Sequence, residues 1–411
     1  MLSGAGHFDS GTPSVRRALI VGASLAGVNA AAGLRDRGFQ GEVHLFGTED
    51  EMPYTRPPLS KDALEAPDSS AESLALHEPG WYVDHGVDLH LGSAVTAVDS
   101  AAKLISDDRG NTHPYDGLIV ATGCEARRLP AEILGEGTGD LVHTLRTVTD
   151  AARLRERLLP GTRVVVIGAG FIGLEVAATA TKLGATVTVV DVAAAPLSRV
   201  FGDAIGHWFT ALHARHGVDV RCSTSVARVE RRGAGAEVTF TDGERLPADL
   251  IVAGIGGRPA VDWLAGSGVD TDCGVVCQPD LSTSVPGVVA AGDLAIWHNA
   301  TFDQTMRVEH WTNAVEQGRH SAGRLLGDRT AFSSIPYFWT DQFGAKLRFV
   351  GRAAPDDDVV VEQQDDKTLV ALFGRHGKLR GAVCVNAPRK LAKYRTALDQ
   401  SAAWADVACT A

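Results

Sequence analysis

The stretch RVVVIGAGFIG (163–173) sets glycines at 168, 170 and 173 directly after a β-branched run. That spacing suits dinucleotide chemistry. Gly168 permits a tight turn, Gly170 lets backbone amides approach a pyrophosphate, and Gly173 lets the following helix pack close with its N-terminal N–H groups facing the phosphates. Asp191 ends the next apolar run, TVTVVD (186–191), where a carboxylate accepts hydrogen bonds from both ribose hydroxyls. A 2′-phosphate would be repelled there, and no arginine follows until Arg199, so the expected ligand is NAD(H) rather than NADP(H).

The same device occurs earlier with one change. In RALIVGASLAG (17–27), Gly22 and Gly27 flank Ser24 where a glycine is usual. Its hydroxymethyl group either leaves a degenerate turn without a ligand or donates a hydrogen bond to phosphate. The next strand, EVHLFG (42–47), runs into Thr48 and Glu49, so the Glu49 carboxylate or the Thr48 hydroxyl must serve the ribose. Each copy closes with a further apolar strand running into glycine, DGLIVATG (116–123) and ADLIVAGIG (248–256). Two such units imply two dinucleotides, and with one read as NAD(H) the other is expected to be FAD. TSVPGVVAAGD (283–293) supports this, because its turn places Asp293 beside a polyol such as ribityl; a helix N-cap is the plainer role for that aspartate.

Val/Ile/Leu strands that alternate with helices predict an α/β fold of parallel sheets covered on both faces. The 411 residues suffice for two or three domains. A formal charge of −11 argues against nucleic-acid or anionic-membrane partners. The uncharged run at 18–34 is shorter than the ~18–20 residues of a membrane span and is broken by glycine turns. Segment 1–14 has neither a basic nor an apolar leader region. Cysteines at 124, 222, 273, 277, 384 and 409 form no disulfide framework, which fits a reducing cytoplasm. Cys273 and Cys277 are read as ordinary residues of a strand. The 14 histidines show no metal-ligand spacing, so no metal is expected, and no Ser/His/Asp set stands out.

PYTRPPLSK (53–61) lies downstream of the first turn, where flavoenzymes with two dinucleotide units often carry a cysteine pair. Here there is none. Electrons from NADH must therefore leave the flavin directly, which favours a one-electron protein acceptor.

Together RPPLSK (56–61), GFIGLEVAA (170–178), AAGD (290–293), RVEHWTNAVEQG (307–318), PYFWTDQFG (336–344) and VNAPRKLAKYR (385–395) resemble the oxygenase-coupled NADH-dependent ferredoxin reductases. That family includes putidaredoxin reductase, rubredoxin reductase and the reductases of aromatic-ring dioxygenases, and the likeness spans residues 16–395. It implies a glutathione-reductase-like fold: a discontinuous FAD domain (14–123 and 248–328), an NAD domain (124–247) and a C-terminal α/β domain (329–411) covering the flavin. It implies FAD contacts at Gly22, Ser24, Leu25, Ala26, Gly27, Thr48 (where the family usually has an acid), Glu49, Arg56, Lys61 and Val95. Further FAD contacts fall on Thr122, Gly123, Arg146, Gly292, Asp293 and Trp311. For NADH it implies Gly168, Gly170, Ile172, Gly173, Glu175, Asp191, Arg199 and Gly256.

Within that resemblance Lys61 stands beside the flavin and stabilises negative charge on its reduced ring. Trp311 lies near the pyrimidine end, and Glu175 binds the nicotinamide carboxamide. The implied reaction reduces two molecules of an iron–sulfur ferredoxin per NADH, supplying a haem monooxygenase or a Rieske-type dioxygenase. Rubredoxin as acceptor, an NADH-oxidase activity and a redox-responsive binding module are the alternatives. Ferredoxins of this type are usually acidic, so docking is expected at a basic face containing Arg307, Arg319, Arg389 and Lys390.

Overall fold

The computed structural model describes residues 15–66 and 70–408; Cys409 and segment 1–14 lie outside them. The apolar runs become short strands whose residues are almost all buried, as in RALIV and RVVVI. Strand β1 (Arg17–Val21), helix α1 (Leu25–Asp36) and strands β2 (Glu42–Phe46), β3 (Val87–His90) and β4 (Gly117–Val120) come first. Next are β5 (Val142–His143), β6 (Arg163–Ile167), α2 (Phe171–Lys182), β7 (Thr186–Val190), β8 (Asp219–Arg221) and β9 (Leu250–Ala253). Strand β10 (Val288–Ala290) and helix α3 (Trp311–Leu325) follow. The chain then forms β11 (Tyr337–Gln342), β12 (Ala345–Gly351), β13 (Asp358–Gln364), β14 (Leu369–Arg375), β15 (Lys378–Val385) and α4 (Pro388–Asp399).

These elements form two compact units. The first takes residues up to Tyr54, then Ala75–Gly123 and Pro259–Ser334. Its parallel sheet runs β10-β4-β1-β2-β3, so the Gly22 turn leaves the central strand. Strand order reverses at that strand, which is where open α/β sheets bind ligands. Helices α1 and α3 pack together through small residues. A Cβ added at Gly318 would stand 2.3 Å from the Ala26 carbonyl oxygen, so only glycine allows the approach.

The second unit takes Thr55–Leu74, Cys124–Arg258 and the chain from Ile335. One parallel sheet runs β8-β7-β6-β9-β5, and an antiparallel sheet runs β11-β12-β15-β14-β13. An aromatic cluster joins them: Phe171 of α2 meets Phe338 of β11 edge-on at 4.5 Å between ring centroids, and Phe201 lies against Phe349 at 5.1 Å.

The chain therefore returns to the first unit later than the expected boundary at 248. Strand β9 pairs with β6, Val164 opposite Leu250, because the second sheet needs that strand beside its central one. Residues 248–258 stay with the NAD-type sheet. The PPLSK segment likewise packs within the second unit. Among the described residues, no helix is long and apolar enough to cross a membrane.

Candidate active site

The second unit carries the complete fingerprint. Gly168 sits at φ +109°, and a Cβ there would lie 2.3 Å from the Gly254 carbonyl oxygen. Gly173 passes so close that its Cβ would stand 2.0 Å from the Gly168 oxygen. Gly170, the N-cap of α2, differs: a Cβ there would meet nothing nearer than 4.0 Å. The two closely approached glycines shape the turn, and the open one leaves room for a phosphate. The first turn of α2 holds no acidic residue to compete for its amides.

Asp191 follows β7, as its place in the sequence required. Its Oδ2 accepts from Ala169 N–H at 2.6 Å and its Oδ1 from Ala193 N–H at 2.8 Å. The carboxylate thus braces the glycine turn, and each oxygen keeps lone-pair capacity for a ribose hydroxyl. Ile172 and Val192 expose apolar side chains at 47% and 57%, Arg199 is exposed, and Gly256 adopts φ +98° with open space around it.

The first unit repeats the turn. Gly22 lies at φ +120°, with a notional Cβ 2.1 Å from the Ala121 oxygen, and Gly27 approaches the Gly22 oxygen as closely as Gly173 does its partner. Ser24 caps α1 in an extended conformation, yet its side chain makes no capping hydrogen bond. Its hydroxymethyl group stands at the position that is open at Gly170. Leu25 and Ala26 begin the helix.

Main-chain bonds pin the Gly47–Glu49 loop: Gly47 N–H donates to His90 O (2.9 Å), Ser93 N–H to Gly47 O (2.8 Å) and Gly92 N–H to Glu49 O (2.9 Å). The Tyr54 hydroxyl donates to the Glu49 carboxylate, while Thr48 is exposed. Thr122 donates to Ala260 O at 2.6 Å, and Gly123 O accepts from Ala260 N–H; Val95 opens the strand Val95–Asp99.

Gly292, at φ +86°, donates its N–H to the buried Gln317 side chain at 2.8 Å. The amide nitrogen of Gln317 is buried without a partner among the described residues. Asp293 lies in the turn that follows β10 and caps no helix; its main-chain oxygen accepts from Arg307 at 2.7 Å. Trp311 begins α3 and is 37% exposed. A strained glycine turn, an uncommitted serine and a buried amide donor beside Gly292 suit a second dinucleotide, so these residues fit FAD.

Lys61 and Glu175 meet in the second unit. The PPLS residues form a 3₁₀ turn, Pro57–Ser60, that delivers Lys61 to α2. Lys61 Nζ stands 2.6 Å from Glu175 Oε2, with the side chains 20% and 8% exposed. Ser60 Oγ donates to the same oxygen at 2.5 Å, and Thr340 Oγ1 donates to Oε1 at 2.6 Å. Gln342 Nε2 donates to Thr340 Oγ1 at 3.0 Å, and Gln342 Oε1 lies 2.9 Å from His213 Nε2.

Burial pushes the His213 imidazole down to about 4, so it is neutral and its Nε2–H donates to Gln342. Glu175 is a buried carboxylate held by Lys61, Ser60 and Thr340 rather than a solvated helix residue, and its two oxygens keep acceptor capacity. Arg56 donates from Nη1 to Arg146 O at 2.6 Å, and Arg146 N–H donates to Asp150 at 2.9 Å. No local spacing marks Ser60, Thr340, Gln342 and His213 as members of this network. Thr340 and Gln342 do occupy alternate positions of one strand, and so share a face.

Cys273 is exposed at φ 51° and Cys277 is buried, its thiol pushed up to about 12 by burial. Both are free, and the strand expected to carry them is only Val275–Val276. Three of the four basic candidates are already neutralised: Arg307 pairs with Glu309 (2.6 Å), Arg319 with Asp36 (2.8 Å) and Lys390 with Glu362. Arg389 is exposed and has no ion pair among the described residues.

Two family models match successive parts of the chain. The pyridine nucleotide-disulphide oxidoreductase family matches residues 16–318, and a reductase C-terminal family matches 337–410. The chain belongs to this oxidoreductase family. It is 39% identical to putidaredoxin reductase of Pseudomonas putida, over 84% of this chain and 82% of that one. It is 34% identical to the ferredoxin–NAD(+) reductase component of the anthranilate 1,2-dioxygenase system of Burkholderia cepacia, over 92% of each.

The crystal structure of the covalent putidaredoxin reductase–putidaredoxin complex superposes with a TM-score of 0.88 at 35% identity, covering 94% of this chain and 93% of that one. The oxidoreductases of this family use FAD and a nicotinamide dinucleotide, which accounts for two cradles in one chain. The family name mentions a disulphide. Among the described residues every cysteine is free, and none falls in the segment 53–61 that delivers Lys61.

Proposed function

We propose that this chain is the NADH-dependent reductase of an oxygenase system, passing electrons one at a time to a small iron–sulfur ferredoxin. The observation that carries the reading is that segment 53–61 holds no cysteine and instead delivers Lys61 to Glu175, 2.6 Å away. FAD, when bound, accepts electrons as a hydride pair and can release them singly. Lys61 supplies the cation that a reduced flavin requires, while Ser60, Thr340 and Glu175 fix its position. Glu175 also offers the carboxylate for the nicotinamide carboxamide, and Trp311 an aromatic face. Asp191 selects NADH, Glu49 takes the ribose of FAD, and Ser24 donates to its pyrophosphate. The protein works in a reducing cytoplasm and supplies a haem monooxygenase or a Rieske-type dioxygenase.

The test is NADH-driven reduction of cytochrome c with candidate iron–sulfur ferredoxins titrated in. Turnover that saturates with a ferredoxin is expected, and turnover indifferent to every ferredoxin would sink the reading. NADH should be preferred over NADPH by at least about tenfold in kcat/KM, which requires only ~1.4 kcal/mol of discrimination. Equal efficiency with both coenzymes would remove Asp191 from its assigned role.

A further inference from the structure

The first sheet holds a side-chain cluster outside the residues assigned above to either dinucleotide. In the parallel register of β2 and β3, His44 stands opposite Asp88, and Phe46 opposite His90. Alternate residues share a face, so His44, Asp88 and His90 converge on one side of the edge pair. His44 Nδ1 lies 3.1 Å from His90 Nε2 and 3.2 Å from Asp88 Oδ2, and His90 Nε2 lies 3.6 Å from the same oxygen.

Those separations carry chemical information. Four ligands at zinc-type bond lengths of about 2.0–2.1 Å, arranged tetrahedrally, stand roughly 3.3 Å from one another. The two imidazole nitrogens and the carboxylate oxygen already occupy three corners of such a figure. His90 is held by its ring stacking on Phe46, with centroids 4.3 Å apart. The other nitrogen of His44 has Glu42 Oε2 3.5 Å away, the arrangement by which an outer carboxylate orients a metal-binding imidazole. His113 is near but belongs elsewhere, its Nε2 lying 3.2 Å from Asp107.

We propose that His44, Asp88 and His90 bind one divalent transition-metal ion of the zinc type, with the fourth position open to water. The ligand set, two imidazoles and a carboxylate, selects such an ion over calcium or magnesium, which prefer oxygen shells. The ion bridges the edge strand β3 to β2 just before the chain enters the Gly47–Glu49 loop. It stabilises the fold and takes no part in electron transfer.

The experiment uses FAD-loaded protein, stripped with a chelator and titrated with zinc by calorimetry. One zinc per chain is expected, with a rise in Tm, since an ion that binds only the folded state stabilises it. His44→Gln and His90→Gln should each abolish both effects and leave NADH–ferricyanide turnover unchanged, whereas His113→Gln should retain them. Anomalous diffraction at the zinc edge from unaltered crystals gives a measurement independent of variant folding, with a peak expected among the three side chains. No zinc uptake, uptake unaffected by both substitutions, or a peak elsewhere would overturn the proposal; two imidazoles sharing one proton would then explain the cluster.

Discussion

Lys61 and Glu175 hold opposite charges 2.6 Å apart, with both side chains largely removed from water. Breaking such a pair by removing one partner typically costs about 3–5 kcal/mol, because the remaining charge loses its counter-ion. Lys61→Met should lower stability by that amount in urea titrations, and Lys61→Met with Glu175→Gln should lower it by less. A double variant as damaged as the sum of the single ones would show that the two groups do not act as a unit. His213 adds a pH dependence. Its folded-state value of about 4 lies below the ordinary value of roughly 6.5, so the unfolded chain binds a proton that the folded chain refuses.

The stability from neutral His213 is thus complete above pH ~6.5 and lost as pH falls towards 4, about 3 kcal/mol in all. His213→Gln should flatten that part of the stability–pH curve; an unchanged slope would contradict the assignment. These side-chain contacts are only partly legible in the sequence. Lys61 and Glu175 stood in recognisable motifs, but a hydrogen bond from Thr340 to a carboxylate 165 residues away depends on packing that no local spacing reveals. The His44–Asp88–His90 cluster was hidden for a related reason, since strand register, not linear spacing, brings it together.

Among the elements, the glycine turns were the most legible features, because a positive φ or a sub-contact approach restricts residue choice at a single position. Gly168 and Gly170 should therefore respond differently to alanine. Gly168→Ala introduces strain at φ +109° and a 2.3 Å clash with backbone, and should destabilise the protein by roughly 1–3 kcal/mol in thermal unfolding. Gly170→Ala meets nothing within 4.0 Å, so Tm should hardly move while the KM for NADH rises several-fold. A fall in Tm for Gly170→Ala comparable with that for Gly168→Ala would place backbone, not ligand, in that space. Boundaries were less legible than turns. ADLIVAGIG closes the second copy by its pattern, and its pairing with β6 keeps it in that sheet, so the boundary belongs after this strand rather than at 248.

For the whole molecule, a net charge of −11 opposes encounter with an acidic ferredoxin, and steering acts over only about 8–10 Å at ordinary salt. Ion pairing leaves Arg389 as the strongest of the four docking candidates. Arg389→Glu should raise the KM for ferredoxin several-fold and weaken its salt dependence, without altering ferricyanide reduction. Arg319→Glu should do less, because its charge is already matched by Asp36. Equal loss with both acceptors would indicate damaged cofactor binding instead.

The interrupted first unit has a consequence for the chain's birth on the ribosome. Strands β1 to β4 emerge early, but the fifth strand and α3, which covers α1, are encoded some 170–200 residues later. At elongation rates of about 5–20 residues per second, the nascent first sheet waits on the order of 10–40 s with an unpaired edge and an uncovered helix face. The central sheet of the second unit, contiguous from Val142 to Ala253, can close during that pause. Flavin capture is thus set to be a late event of biosynthesis, and the first unit depends most on whatever shields young chains from one another.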